Sequence, residues 1–221
     1  RFIKKTVLYD GAKPVYHLYY SNAAGDPSSV ITTFPWAQAN LYGSRGTNQA
    51  REVLLAVPHG SLDWWAKRLA DHEVDSSSIE VFGARRLAFA HPSGIEYQFV
   101  ESDDDPRVGP EAAGVTREHA VHGIHGIGIH VYDQDRSVDF GQEAFFLAGD
   151  VEEDGDLARF RVGDAKHGNW VELRGNRTDD QGTWRFGAGT YHHFAWNLGD
   201  LENQEQVKFD IEGDRKSTRL N

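Results

Sequence analysis

Eleven histidines and no cysteine set the limits on metal and acid–base chemistry in this chain of 221 residues. Without a thiol there is no disulfide, no cysteine-held zinc, no iron–sulfur cluster and no cysteine nucleophile. Any metal must be held by imidazole and carboxylate, and an iron(II) centre open to oxygen wants two histidines and one carboxylate on one face. The adjacent pair His192–His193 is the sharpest candidate. Strand neighbours face opposite sides, so one ring can ligate a metal while the other supports it from the rim or faces the core. His119, His122, His125 and His130 form the densest group. His125 and His130 are an odd number apart and cannot both ligate one ion from an ideal strand, so a structural or surface-titrating role is expected. His17 lies in an aromatic run as either a pocket residue or a half-buried structural one, and His59, His72 and His91 fall at turns or helix ends.

The elements that must position these residues repeat. Three stretches, Tyr16–Phe34, Arg86–Phe99 and Ala158–Leu173, have alternating β-type residues on both sides of a Gly/Pro/Asp/Ser/His turn, the pattern of an antiparallel hairpin. Before the second, the apolar run Val53–Val57 ends at Pro58, and Ser61 is placed to cap a helix with Leu62, Trp65, Ala66 and Leu69 on one face. Before the third, a strand from about Gly126 to Val131 meets Asp133, with a helix after Ser137. The same opening recurs where a strand through His192 and His193 meets Asp200 and a polar helical segment follows. The unit is strand, helix, three strands, an α+β organisation. Its boundaries are 1–45 for the closing hairpin of a first unit, 46–101 for a second, 102–118 for a linker rich in Asp, Gly and Pro, 119–175 for a third, and 176–213 for the opening of a fourth. Aligning Asp133 with Asp200 sets His125 against His192 and Gly126 against His193. Counting from Gly94 and Gly168 sets Gln98 against Glu172 on the last strand of each full unit.

Composition removes other classes. The net charge of −11 argues against nucleic acid or an anionic membrane as partner, since phosphates want a basic face. No run of apolar residues is long enough to span a bilayer, and the basic start RFIKKTVLYD lacks a signal peptide's apolar stretch, so a cytoplasmic protein is expected. Dinucleotide, P-loop, serine-hydrolase and zincin motifs are missing. The chain opens on Arg1 and contains no methionine, which suggests processing or a piece of something longer.

The order of the unit, with RFIKKTVLYDGAKPVYHLYY, GDPSSVITTFPW, the SLDWW helix, HPSGIEYQF and GTYHHFAWN, resembles the hydroquinone-type ring-cleaving dioxygenases of the vicinal oxygen chelate superfamily. The resemblance runs from Arg1 to about Gly213. It implies tandem βαβββ modules forming half-barrels, two of them complete and the first and fourth partial. It also implies Fe(II), with Mn(II) as the alternative, and an aromatic substrate cleaved with O2. The family's metal lies between two histidines and a glutamate, of which His193 matches one; His192 matches a neighbouring histidine that assists as acid, base or substrate contact. The other two ligands have no counterpart here, and Gln98 and Glu172 belong to the central units, which in this family form a barrel without metal. The expectation is therefore a fragment that binds iron poorly and does not turn over. The tail 214–221 resembles a translated sequencing adapter. Tyr16, Tyr19, Tyr20 and Phe34 suit a pocket for a flat ring or the barrel core. Rival readings are a metal-dependent isomerase or lyase of the same superfamily and a non-catalytic binder of small ligands. The sequence leaves the exact phenol open and is compatible with a homo-oligomer.

Overall fold

Val53, Leu55 and Val57 alternate with Leu54 and Ala56, so the strand that carries them is apolar on both faces, as a central strand must be. In the computed structural model, which describes residues 1–10, 13–144, 150–163 and 165–217, that strand is central. β4 (Gln49–Val57) pairs antiparallel with β8 (Gly123–Val131) at the middle of an eight-stranded sheet. Val53, Leu55 and Val57 pack with Leu62, Leu87 and Phe99 beneath helix α1 (Leu62–Asp71), and Trp65, Ala66 and Leu69 close over them as their spacing implies. Leu54 and Ala56 are fully buried on the opposite face.

Each complete unit folds as strand, helix, three strands. The second is β4, α1, β5 (Ser76–Val81), β6 (Ala84–Ala90) and β7 (Glu96–Glu101). The third is β8, α2 (Gln134–Ala144), β9 (Glu152–Asp154), β10 (Leu157–Arg161) and β11 (Trp170–Gly175). Within each unit the opening strand runs parallel to the last, β4 with β7 and β8 with β11, giving the order β5-β6-β7-β4-β8-β11-β10-β9. The two units thus mirror each other across the β4–β8 seam. A separate sheet holds the first hairpin, β2 (Lys13–Tyr20) with β3 (Ile31–Thr33), extended by β1 (Phe2–Asp10).

Several expectations are corrected in detail. Ser61 does not cap α1: its hydroxyl donates to the Pro58 carbonyl at 2.6 Å, and the Glu101 carboxylate accepts from the Gly60 and Leu62 amides instead. β8 begins at Gly123 rather than Gly126, and α2 begins at Gln134 because Asp133 caps it, accepting from the Arg136 amide at 3.2 Å. Asp200 does the same for α3 (Leu201–Ser217), accepting from the Asn203 amide at 2.9 Å, so the two aligned aspartates are equivalent helix caps. The strand expected before Asp200 is not formed, and residues 191–198 join no sheet. In both complete units the opening strand is held by the last strand of the same unit, and no strand follows residues 191–198 among the described residues. Part of the 214–221 tail continues α3 to Ser217, and residues 218–221 lie outside those described.

The linker is not a solvated loop throughout. The Asp105 side chain has no solvent exposure and holds Arg107 through bonds of 2.9 and 2.6 Å. Arg107 in turn donates to the carbonyls of Ser28 at 2.8 Å and Ile124 at 2.9 Å, tying the first hairpin to the start of β8. That guanidinium holds Asp105 below its ordinary carboxylate range although burial opposes it. No helix among the described residues is long and apolar enough to cross a membrane. Because β1–β3 form a three-stranded sheet apart from the eight-stranded one, amides in β1–β3 are expected to exchange faster than those in β4, β7, β8 and β11. Hydrogen-exchange mass spectrometry checks this, and equal protection would contradict it.

Candidate functional site

Two groups of candidate side chains emerge, one on the concave face of the central sheet and one beside the start of β7. On β6 the alternation that sends Leu87 and Phe89 toward α1 sends Arg86 and Ala88 to the opposite, concave face. Arg86 is only 1% exposed. Its Nη1 donates to Gln98 Oε1 at 3.1 Å and Glu172 Oε2 at 2.8 Å, and its Nη2 donates to Glu172 Oε1 at 2.7 Å. The two residues aligned by counting from Gly94 and Gly168 therefore meet in space, and a guanidinium joins them. Gln98 Nε2 also donates to Glu52 Oε2 at 3.0 Å, which explains the amide: a carboxylate there would face another carboxylate. Gly128 makes room for Glu52, since a Cβ at that position would lie 2.5 Å from Oε2.

Glu52, Glu96 and His130 bring potential ligand atoms within 4.8 Å of one another, a group that sequence reasoning missed because Glu52, Glu96 and His130 come from β4, β7 and β8. Cations already compensate it. Arg45 Nη1 lies 2.8 Å and Arg51 Nη2 lies 3.4 Å from Glu96 Oε1. Arg51 Nη1 lies 3.2 Å from His130 Nδ1, and His130 Nε2 faces Glu52 Oε1 at 3.5 Å. Burial would raise the Glu52 pKa, but His130, Arg174 and Arg51 outweigh it and hold the carboxyl below its usual range. A divalent cation there would compete with the arginines already placed on Glu96 and His130.

The other histidines of the dense group are half-buried, and each lies against neighbouring residues. His119 stacks on Trp64 at 4.3 Å, His122 Nδ1 donates to the Arg107 carbonyl at 2.6 Å, and His125 lies against Trp170. Burial, with the charges of Arg86, Arg159 and Arg107, pushes the His125 imidazole down to about 3.

Beside the start of β7, residues 185–188 bridge to Tyr42 and Ser44, and Gly189 and Tyr191 then reach Ser93 and Glu96. Tyr191 donates to the Glu96 carbonyl at 3.3 Å, and burial first, then Tyr97 and Glu96, raise its phenol well above the usual value. His192 and His193 follow, both exposed, with their Nδ1 atoms 2.6 Å apart. One ring must donate and the other accept. When His193 donates, its Nε2 keeps the lone pair a metal needs, and His192 fixes that tautomer. Aromatic rings surround the pair: Phe34 stacks on Trp36 at 5.6 Å, Phe186 meets His192 edge-on at 4.7 Å, and His17 stacks on Phe34 at 4.2 Å. A cavity of about 480 Å³ opens here, lined by Phe34, Trp36, Tyr97, Phe186, His192 and His193 among others. Burial, with His193 and Lys4 nearby, lowers the pKa of His17 and favours the neutral ring. Among the described residues no carboxylate joins His193 in a three-ligand group. Phe186 carried no sequence signal, whereas Arg86 had one: an arginine at an inward position of an otherwise apolar strand.

No family model matches the chain. It is 35% identical over 216 residues to the chlorohydroquinone/hydroquinone 1,2-dioxygenase of Sphingobium indicum, covering 96% of this chain and 67% of that protein. The chain belongs to the ring-cleaving dioxygenases of the vicinal oxygen chelate superfamily. A second relative in the same family is MhqO of Bacillus subtilis, provisionally named a ring-cleaving dioxygenase, at 34% identity over 92% of this chain and 63% of its own length. The chain thus spans about two thirds of the length of these relatives. Among solved structures, a Bacillus subtilis protein provisionally named a dioxygenase superposes with a TM-score of 0.83 at 31% identity over 97% of this chain and 67% of that one. Glyoxalase I of Zea mays superposes at 0.61 with 13% identity over 96% of this chain and 71% of its own, which shows a shared fold alone.

Two outcomes follow for the central pair and its neighbour. Arg86→Met leaves the Glu172 carboxylate buried without its partner and is expected to cost about 3–5 kcal/mol in urea denaturation, partly recovered in Arg86→Met/Glu172→Gln. A loss below about 1 kcal/mol would mean that water reaches the pair. Because the folded-state His125 binds its proton more weakly than an unfolded histidine, stability is expected to fall as pH drops from about 6.5 towards 3. His125→Gln should flatten that acid limb in pH-dependent melting curves.

Proposed function

We propose that this chain forms part of an iron(II)-dependent dioxygenase that opens the ring of a hydroquinone or related chlorinated phenol with O2, with Mn(II) as the alternative metal. The observation that carries the reading is the His192–His193 pair set against the rings of Phe34, Trp36 and Phe186 in a cavity of about 480 Å³. Its size and walls suit one flat, single-ring substrate. The donor set fits the metal only in part: His193 is one imidazole ligand, and the remaining two that the family implies have no counterpart among these residues. When held, such a metal supplies the activation that brings phenolate and O2 together.

The chain's own residues account for the rest of the site. Phe34 and Phe186 clasp the ring and keep water from it, and Trp36 backs Phe34. His192 holds or takes the phenolic proton while its Nδ1 fixes the orientation of His193. A cytoplasmic setting fits the lack of cysteine, and an aromatic small molecule rather than nucleic acid or membrane fits the net charge of −11.

Equilibrium dialysis with hydroquinone is expected to show saturable binding that Phe34→Ala or Phe186→Ala weakens several-fold. Absence of saturable binding, or turnover of a glyoxalase-type hemithioacetal instead, would sink the dioxygenase reading. Anaerobic Fe(II) titration is expected to give weak, substoichiometric binding to these 221 residues, and an oxygen electrode after admission of air is expected to record no hydroquinone-dependent uptake. Tight stoichiometric iron with turnover would overturn the one-ligand account.

A further inference from the structure

The two complete units differ in what their helices press onto the sheet. Counting from the first residue of each helix, Leu62 of α1 and Gln134 of α2, sets Ser137 against Trp65, Val138 against Ala66 and Gly141 against Leu69. In the second unit Trp65 lies over Phe99 with ring centroids 4.4 Å apart, and Leu69 packs on the same core. Counting from Gly94 and Gly168 sets Leu173 against Phe99, so both partners of that contact are smaller in the third unit. Phe160 takes up the space at Gly141, where a Cβ would lie 3.0 Å from its Cζ. Ser137 instead turns its hydroxyl back to the Asp133 carbonyl at 2.6 Å and puts no ring over Leu173.

A cavity of about 520 Å³ results, within the range of small-molecule sites. Phe160 and Leu173 line it from the sheet and Ser137 and Gly141 from α2. Phe194 and Trp196, whose rings meet edge-on at 4.8 Å, line it from the segment beyond β11. It shares no lining residue with the cavity at His192 and His193. Walls of this kind suit a flat ring. Two charged groups of the described residues reach it, Asp133 and Arg136. The Asp133 carboxylate is committed to the Arg136 amide at the positive end of α2. The Arg136 guanidinium is exposed and has no hydrogen bond or ion pair among the described residues. An apolar pocket with one uncommitted guanidinium at its rim matches a ring that carries a carboxylate.

We propose that this cavity is a second small-molecule site, which takes a single-ring aromatic carboxylate with its ring against Phe160 and Trp196 and its carboxylate on Arg136. The test is titration with benzoate, by calorimetry and by NMR of the tryptophan indole N–H groups, with benzyl alcohol as the uncharged comparison. Benzoate is expected to bind saturably and to move the Trp196 indole resonance, identified by its loss in Trp196→Phe. Ser137→Trp installs the residue that the second unit carries. It is expected to weaken benzoate by more than about tenfold and to leave hydroquinone dialysis unchanged. Arg136→Gln, at an exposed position, is expected to weaken benzoate about fivefold and benzyl alcohol not at all. No saturable benzoate binding, binding that leaves Trp196 unmoved, or wild-type affinity in Ser137→Trp overturns the site. Benzyl alcohol binding as tightly as benzoate, or equal losses for both in Arg136→Gln, overturns the carboxylate. Should Ser137→Trp not fold, Ser137→Leu takes its place in the same titration.

Discussion

The bidentate bond between Arg86 and Glu172 is the constraint on which the central fold turns. It links β6 of the second unit to β11 of the third, which are separated in the sheet by β7, β4 and β8. A buried pair of this kind adds little stability over an apolar replacement, because desolvating two charges offsets their attraction. Its effect is on geometry. A guanidinium and a carboxylate accept few relative orientations, so curling the sheet any other way would strand a charge in the core. Gln98 and Glu52 extend the same network, and the amide of Gln98 is the one group there that can accept from Arg86 and donate to Glu52 at once.

The same logic separates the two halves of the molecule by purpose. In the central barrel Arg86 and Gln98 occupy the carboxylates of Glu172 and Glu52 with partners from the chain itself, and the bidentate bond leaves no open coordination site at Glu172. Beside the start of β7, rings of Phe34, Trp36 and Phe186 gather around His192 and His193, and among the described residues no carboxylate joins them in a three-ligand group. One region is closed by its own chemistry; the other is left with exposed imidazoles and an apolar wall. That second region is nevertheless positioned by the core, through Arg107 between Ser28 and Ile124 and through Tyr191 on the Glu96 carbonyl.

Much of this was legible in one dimension, because alternation, turn residues and helix caps are local. The hairpins, the order strand, helix, three strands, the equivalence of Asp133 with Asp200 and the face of α1 all follow from spacing. Ser61 misled because its hydroxyl bonds back to the carbonyl of Pro58 three residues earlier, and the cap comes from Glu101 on a strand far along the chain. The linker misled for a related reason: a stretch rich in Asp, Gly and Pro reads as a surface loop, whereas pairing buries the side chains of Asp105 and Arg107. A strand through His192 and His193 was written in the pattern, yet a strand needs a neighbour to bond, and these residues have none among those described.

The sequence by itself determined the unit, its repetition, its family and the histidine pair, since each depends on residues a few positions apart. It also determined that any metal here must be held by nitrogen and oxygen. Only the tertiary structure decided that Gln98 and Glu172 share a guanidinium, that Glu52, Glu96 and His130 converge beside two arginines, and that a cavity lies beside Ser137 where Trp65 fills the second unit. Those facts depend on which strands become neighbours and in what register. That is settled by burying whole faces together, a condition that no local stretch of sequence contains.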